Sequence, residues 1–101
     1  MQRSLQFDDN QRVQLLYGEH NTHIHKIEKA LDIHIADRGN TLTLKGGERA
    51  VGTAERVFDI LWDQLHDEKN KGLEPADIDA ALRFVQADDS DSETGNGAGK
   101  G

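Results

Sequence analysis

The chain has 101 residues, with 19 acidic against 12 basic side chains, a net charge of −7 and no cysteine. A chain of this size forms one small domain without a large enclosed pocket, which favours a binding module over an enzyme. The lack of cysteine excludes a disulfide framework and a thiolate metal site. No apolar run approaches the roughly 18 residues that cross a membrane, and the N-terminal sequence does not resemble an apolar leader. We therefore expect a cytoplasmic protein with no membrane partner.

The first 18 residues predict a short strand followed by a helix. Polar and apolar residues alternate over Arg3–Phe7, which is the two-residue period of a strand. Asp8 or Asp9 then caps a helix whose apolar positions are spaced by three and four residues, at Val13, Leu16 and Tyr17. Gly18 is expected to end this helix, because glycine readily adopts the positive φ of a helix C-terminus.

A second helix and a hairpin are predicted next. Asn21 suits both an N-cap and a left-handed backbone conformation. After it, Ile24, Ile27 and Leu31 form one apolar stripe of a helix. The period then changes to two residues, which predicts two strands, at about 33–36 and 41–45, joined by a turn at Asp37–Asn40.

A long helix is predicted over about residues 48–66, with an apolar stripe that includes Phe58 and Trp62. Because both aromatic side chains share that stripe, we expect them in the core and not on a base-stacking surface. Gly52 lies inside the helix, where glycine costs about 1 kcal/mol relative to alanine. A close approach between helix and sheet at Gly52 is the expected reason for it.

An additional helix is predicted over residues 73–86, with Pro75 at its first position. Its apolar side, which must pack on the domain or on a partner, consists of Ile78, Ala81, Leu82 and Val85. Residues 87–101 contain nothing apolar to bury beyond alanine, so a disordered acidic and glycine-rich tail is expected. The ending at 95–101 lacks the first glycine, the hydroxyl residue and the flanking elements of a P-loop, and we expect it to bind no nucleotide.

The predicted order of elements, together with the loop, resembles a KH domain. Residues 16–27 follow the KH pattern of two apolar residues, Gly-x-x-Gly and isoleucines spaced by three, except that Asn21 replaces the second glycine. The resemblance implies an α/β fold of the α+β type with the order β-α-α-β-β-α, in which helices cover one face of a three-stranded sheet. The KH-like core then takes residues 1–68, followed by the additional helix and the tail.

A longer set of motifs, over residues 5–85, resembles the N-terminal domain of PhoH-like proteins. The motifs are Gly18–Asn21, Ile27-Glu28, Ala36–Asn40, Ala54–Val57 and Pro75–Arg83. This resemblance implies a following ATPase domain with a Walker A loop, linked to RNA metabolism and phosphate starvation. ATP and Mg are expected only for that domain, which lies outside this chain, and no cofactor is expected here.

The loop at Gly18–Asn21 is the candidate nucleic-acid site. A KH loop clamps single-stranded RNA through its backbone, and the unpaired N–H groups of a helix start attract phosphate. The candidate binding residues are Gly18, Glu19, His20, Asn21, Lys26 and Arg38. Glu19 and the acidic net charge oppose phosphate binding, so a second interpretation stays open. In it, a degenerate KH fold docks the family's ATPase domain or another protein, or mediates oligomerisation, without touching nucleic acid.

His20, His23 and His25 are close in sequence, but we expect no metal site. On a helix His23 and His25 point about 200° apart, and no carboxylate completes a tetrahedral set. All three are expected to be solvent-facing or loop residues. Glu19 and His20 have neither a nucleophile nor a substrate pocket to orient them as an acid–base pair, so no catalytic residue is predicted.

Overall fold

The computed structural model of the chain describes residues 1–67 and 72–94. Its elements are β1 (Gln2–Gln6), α1 (Asn10–Tyr17), a single 3₁₀ turn (Glu19–Asn21), α2 (Thr22–Leu31), β2 (His34–Arg38), β3 (Thr41–Lys45), α3 (Glu48–Leu65) and α4 (Pro75–Thr94). The predicted α+β class and the order β-α-α-β-β-α are confirmed. Strand β1 begins and ends one residue earlier than the predicted Arg3–Phe7.

The sheet is antiparallel with the strand order β1-β3-β2, so that β3 is central. Leu42 of β3 pairs with Leu5 of β1, and Leu44 pairs with Ile35 of β2. Directly paired residues of antiparallel strands share a face, so these four apolar side chains point toward the helices. Leu42 and Leu44 have no solvent exposure. The prediction that helices cover one face of the sheet is therefore confirmed.

Helix α3 supplies the centre of the core. Phe58 and Leu61 are fully buried, as their place on the apolar stripe predicted. Trp62 is partly buried at the edge of the core, where its ring centroid lies 4.7 Å from that of Phe7. Both aromatic side chains of α3 thus contribute to packing.

The expectation for Gly52 is wrong. A Cβ atom built at this position meets nothing within 4 Å, so no neighbouring element approaches the helix closely there. Val51 and Ala54 are fully buried instead. They turn the packed side of α3 away from Gly52, and nothing in the structure requires glycine at this position.

Helix α4 packs on the domain through the predicted apolar side. Ile78 and Val85 are fully buried, and the helix lies against α3 and α2. The backbone stays helical as far as Thr94, where the sequence predicted disorder from residue 87. The first glycine after Pro75 is Gly95, so nothing before it interrupts the helical hydrogen bonds. Residues 95–101, with the P-loop-like ending, lie outside the described residues.

Candidate nucleic-acid interface

The loop between α1 and α2 is a tight turn with three unusual backbone positions, at Gly18, His20 and Asn21. Helix α1 ends at Gly18, whose φ of 80° and ψ of 168° fall in a region that is essentially restricted to glycine. The Asn21 N–H donates to the Gly18 carbonyl at 3.0 Å, which closes the turn. His20 and Asn21 both adopt left-handed conformations, with φ of 56° and 59°. Asparagine tolerates that conformation, which explains how it replaces the second glycine of the KH pattern.

The ring of His23 holds this turn from inside. His23 is only 7% exposed, and its Nδ1 lies 3.2 Å from the carbonyl oxygen of Leu16. A Cβ atom at Gly18 would lie 2.7 Å from the Cγ atom of His23, so glycine is required here by space as well as by backbone conformation. The expectation that this histidine faces solvent is wrong. His23 lies four residues before Ile27, on the buried side of α2, and that spacing was the available sequence signal.

The other two histidines behave as predicted and do not join His23. The side chains of His20 and His25 are 86% and 66% exposed. Among the residues that the structure describes, no three His, Cys, Asp or Glu side chains are grouped so as to hold a metal ion.

The start of α2 lacks the expected side-chain cap. Asn21 occupies the N-cap position, but its side chain makes no hydrogen bond to the first helical turn. Its left-handed backbone differs from the extended conformation in which an N-cap side chain usually reaches those N–H groups. The N–H of Thr22 donates to the Glu19 carbonyl instead. The Asn21 side chain therefore does not occupy the backbone N–H groups of the first turn of α2. A phosphate site at a helix start requires that these groups are not capped by a side chain.

The charges around the loop are less favourable. Glu19 is 89% exposed at the tip, with its Oε1 atom 3.8 Å from Nε2 of His20. The Nζ atom of Lys26 lies 3.2 Å from Oδ1 of Asp79 on α4, so a carboxylate already faces this cation. Arg38 is exposed at the end of β2, on the sheet face away from the helices. Of the six predicted binding residues, only Gly18–Asn21 therefore lie on one surface, and Lys26 and Arg38 lie apart from it.

Two shallow clefts extend from the loop along α1 and adjoin at Gln14 and Tyr17. The first is lined by Gln14, Leu15, Tyr17 and the loop residues Gly18–Asn21. The second runs from the same two side chains to the β2–β3 turn and is lined by Asn10, Val13, Asp37, Gly39 and Asn40. The two clefts thus form a continuous path from the loop to the hairpin turn at Asp37–Asn40.

Tyr17 fixes the distance between the loop and that turn. Its hydroxyl group donates to the Gly39 carbonyl at 2.9 Å. Burial, and secondarily the negative charge of Asp37, raise the pKa of Tyr17 to about 12. The side chain therefore stays a neutral hydrogen-bond donor at physiological pH, and it connects the C-terminal end of α1 to the hairpin.

Sequence reasoning missed the position of Glu28. Its Oε2 atom accepts a hydrogen bond of 2.7 Å from the Ile35 N–H on β2, which is an edge strand of the sheet. Nδ1 of His25 lies 3.1 Å from the other carboxylate oxygen, and Nδ1 of His34 lies 3.7 Å from Oε2. The contact with His25 follows the i,i+3 spacing of α2, whereas those with Ile35 and His34 join two elements across a loop, so no local spacing predicts them. They place an acidic group in the groove between α2 and β2.

The fold and the loop define a small α+β domain of the order β-α-α-β-β-α with a tight turn between its first two helices. No protein-family model, no curated protein and no solved structure matches the chain. The similarity to PhoH-like proteins therefore stays a prediction from the sequence motifs.

Proposed function

We propose that this chain is a KH-like module that binds single-stranded RNA, and that it acts as the N-terminal domain of a PhoH-type ATPase in RNA metabolism. The observation that carries the proposal is the turn at Gly18–Asn21. It combines a glycine-only backbone position, two left-handed residues and a helix start without a side-chain cap. The turn sets the start of α2 at the surface, and backbone N–H groups at a helix start can recognise phosphate oxygens without reading the base sequence.

In this proposal a phosphate group contacts the start of α2, and the strand continues over Gln14 and Tyr17 toward the hairpin turn. The helix dipole adds partial positive charge at the first contact. The cleft at the hairpin turn is lined by Asp37, whereas Arg38 lies on the opposite face of the sheet. Lys26 contributes less because Asp79 faces it. Since few phosphates are neutralised, binding is weak and depends only modestly on salt.

A second candidate function is an interaction domain that touches no nucleic acid. The charges favour it, because Glu19 is fully presented at the tip of the loop and Glu28 occupies the edge of β2. A carboxylate at each place would repel a phosphodiester strand. The partner in this case is the family's ATPase domain or another protein.

The proposal gives the isolated chain no catalytic activity and no cofactor, and places the protein in the cytoplasm. Across residues 1–67 and 72–94, no helix is long and apolar enough to cross a membrane. ATP and Mg belong to the ATPase domain that the family resemblance implies. Calorimetric titration with ATP and Mg is expected to show no binding, and binding with micromolar affinity would contradict this part of the proposal.

A titration with single-stranded oligonucleotides, followed by amide signals in NMR spectra, separates the two functions. RNA binding is expected to shift the signals of Gly18–Lys26 and of the neighbouring β2 strand. Shifts confined to α4, or none at millimolar RNA, would favour the interaction domain.

Charge reversal at the loop tests where the RNA lies. Glu19→Lys replaces repulsion with attraction, and a change of two charge units at about 6 Å from a phosphate in water corresponds to roughly tenfold tighter binding at low salt. Asp59→Lys is the matched control, because it makes the same change at an exposed position on α3. Equal effects of both substitutions would show a general charge effect and no site at the loop.

The exposed histidine of the loop adds a pH-dependent test. Histidine side chains commonly gain positive charge as the pH falls from about 8 to about 6, so RNA binding at the loop is expected to tighten over this range. His20→Ala is expected to remove part of the gain, whereas His25→Ala, at an exposed position on α2, serves as the control. A gain that survives unchanged in His20→Ala would place the phosphate elsewhere.

A further inference from the structure

Helix α4 has an apolar side that faces solvent, opposite the side packed on the core. The residues of this side, the Phe84 face, are all exposed and are spaced by four, four and three positions: Ala76, Ala80, Phe84 and Ala87. That spacing places them on one side of the helix. Phe84 is 65% exposed and is the most exposed large hydrophobic residue of the described chain. Together with the three alanines, Phe84 forms a continuous apolar strip, and aromatic residues are enriched at protein contact surfaces.

We propose that the Phe84 face pairs with the same face of a second copy of this chain, with the two α4 helices antiparallel about a two-fold axis near residue 81. In this arrangement each Phe84 lies over the space between Ala76 and Ala80 of the second copy. A large side chain meets two small ones, and symmetry repeats the contact. The face is thus complementary to itself, as a closed dimer requires.

The charges beside the Phe84 face support the same arrangement. Arg83 and Asp79 lie along one flank of the face, four residues apart on α4. In an antiparallel pair centred near residue 81, Arg83 of each copy lies opposite Asp79 of the other. Oδ1 of Asp79 faces Lys26 at 3.2 Å, which leaves the second carboxylate oxygen for an arginine. In a parallel pair these flanks would lie on opposite sides of the contact, so Arg83 would not face Asp79 of the second copy.

The length of α4 is also consistent with this dimer. The helix continues well past Val85, which is fully buried, into a segment whose sequence contains Asp91 and Glu93. In the antiparallel pair this acidic segment passes the N-terminus of the second α4, where the helix dipole is positive.

The expected dimer is weak. Helix α4 has 20 residues, but with the axis near residue 81 only residues 75–87 of the two copies overlap. Helices in contact over about 20 Å bury on the order of 700 Å² in total. That area is below the usual range for specific interfaces, so we expect a dissociation constant in the high micromolar range.

Sedimentation of the chain over a range of concentrations tests the dimer. The mass of the wild-type chain is expected to rise from 11.2 kDa toward twice that value, whereas Phe84→Lys stays monomeric with an unchanged circular dichroism spectrum. Leu15→Lys is the matched control, because it makes the same kind of change at another exposed hydrophobic residue, on α1. Phe84→Lys is also expected to leave the loop's amide signals unchanged. A monomeric wild-type chain, or equal losses in both variants, would overturn the proposal.

Single cysteines test the register, since the chain has no cysteine of its own. Ala80→Cys lies next to the two-fold axis and is expected to form a disulfide between copies under mild oxidation. The two residues of Ala87→Cys would lie roughly 18 Å apart along the helix axis, which is too far for a disulfide. Crosslinking at both positions, or at residue 87 alone, would overturn the antiparallel arrangement.

Discussion

Replacing Gly18 by alanine is the substitution that most directly probes the loop. Two costs add at this position. The backbone, with φ of 80° and ψ of 168°, lies in a region that costs a residue with a Cβ about 1–3 kcal/mol. The new Cβ would also lie 2.7, 2.8 and 2.9 Å from Cγ, Nδ1 and Cδ2 of the buried His23 ring. Relieving such overpacking in a core costs about another 1–3 kcal/mol.

We therefore expect Gly18→Ala to lower the free energy of unfolding by about 3 kcal/mol or more. Gly39→Ala is the matched control, because Gly39 also has a positive φ of 60° but a Cβ there meets nothing within 4 Å. Its cost is limited to the backbone conformation, about 1–2 kcal/mol. Urea denaturation followed by circular dichroism measures both values, with the m-value as a check that the unfolding transition is unchanged.

A double-mutant cycle with His23→Ala isolates the steric part. His23→Ala removes the ring that the Gly18→Ala methyl group would strike, so the double variant is expected to be more stable than the sum of the two single losses predicts. Additive losses, or a Gly18→Ala loss no larger than that of Gly39→Ala, would refute the reasoning that the His23 ring fixes the turn.

Three further substitutions test other parts of the fold, each by urea denaturation. Gly52→Ala is expected to raise stability by about 1 kcal/mol, because the added Cβ gains helix propensity and meets no neighbouring atom; a loss would show a hidden contact. The pKa of Asp9 is lowered, mainly by the hydrogen bond that its carboxylate accepts from the Arg12 backbone N–H. Asp9 therefore stabilises the fold at pH values above its ordinary pKa of 3.8, and this stabilisation is lost as the pH falls through the lowered pKa. Asp9→Asn keeps a cap acceptor and is expected to reduce the loss of stability on acidification, and an unchanged acid profile would contradict this. Tyr17→Phe is expected to cost about 1 kcal/mol at neutral pH through the lost hydrogen bond to Gly39. Because the pKa of Tyr17 is raised to about 12, the wild-type chain also loses stability through this group between about pH 10 and 12. Tyr17→Phe has no such loss. If the stability of both proteins fell in parallel over this pH range, the reasoning would be refuted.

Local geometry made most of the fold predictable from the sequence. The spacing of Ile24 and Ile27 identified the buried side of α2, and the same reasoning identified the side of α4 that packs on α3. Gly18 marked the end of α1, and Asp9 was one of two predicted caps; its side chain accepts hydrogen bonds from Gln11 and Arg12. Each of these features depends on residues within about one or two turns of each other, where backbone geometry fixes which side chains are neighbours.

The surroundings of the candidate site were decided only by tertiary structure. The pairing of Lys26 with Asp79 joins α2 to a helix far along the chain, and the hydrogen bond from Ile35 to Glu28 joins a strand edge to a helix. Periodicity carries no information about such pairs, because it states which side of an element is buried and not which element covers it. Gly52 shows the same limit, since whether a neighbouring element approaches it depends on how α3 is rotated against the rest of the domain. The sequence by itself thus determined most of the elements and the position of the loop, while the three-dimensional packing determined the support of the loop by His23 and the charges that surround it.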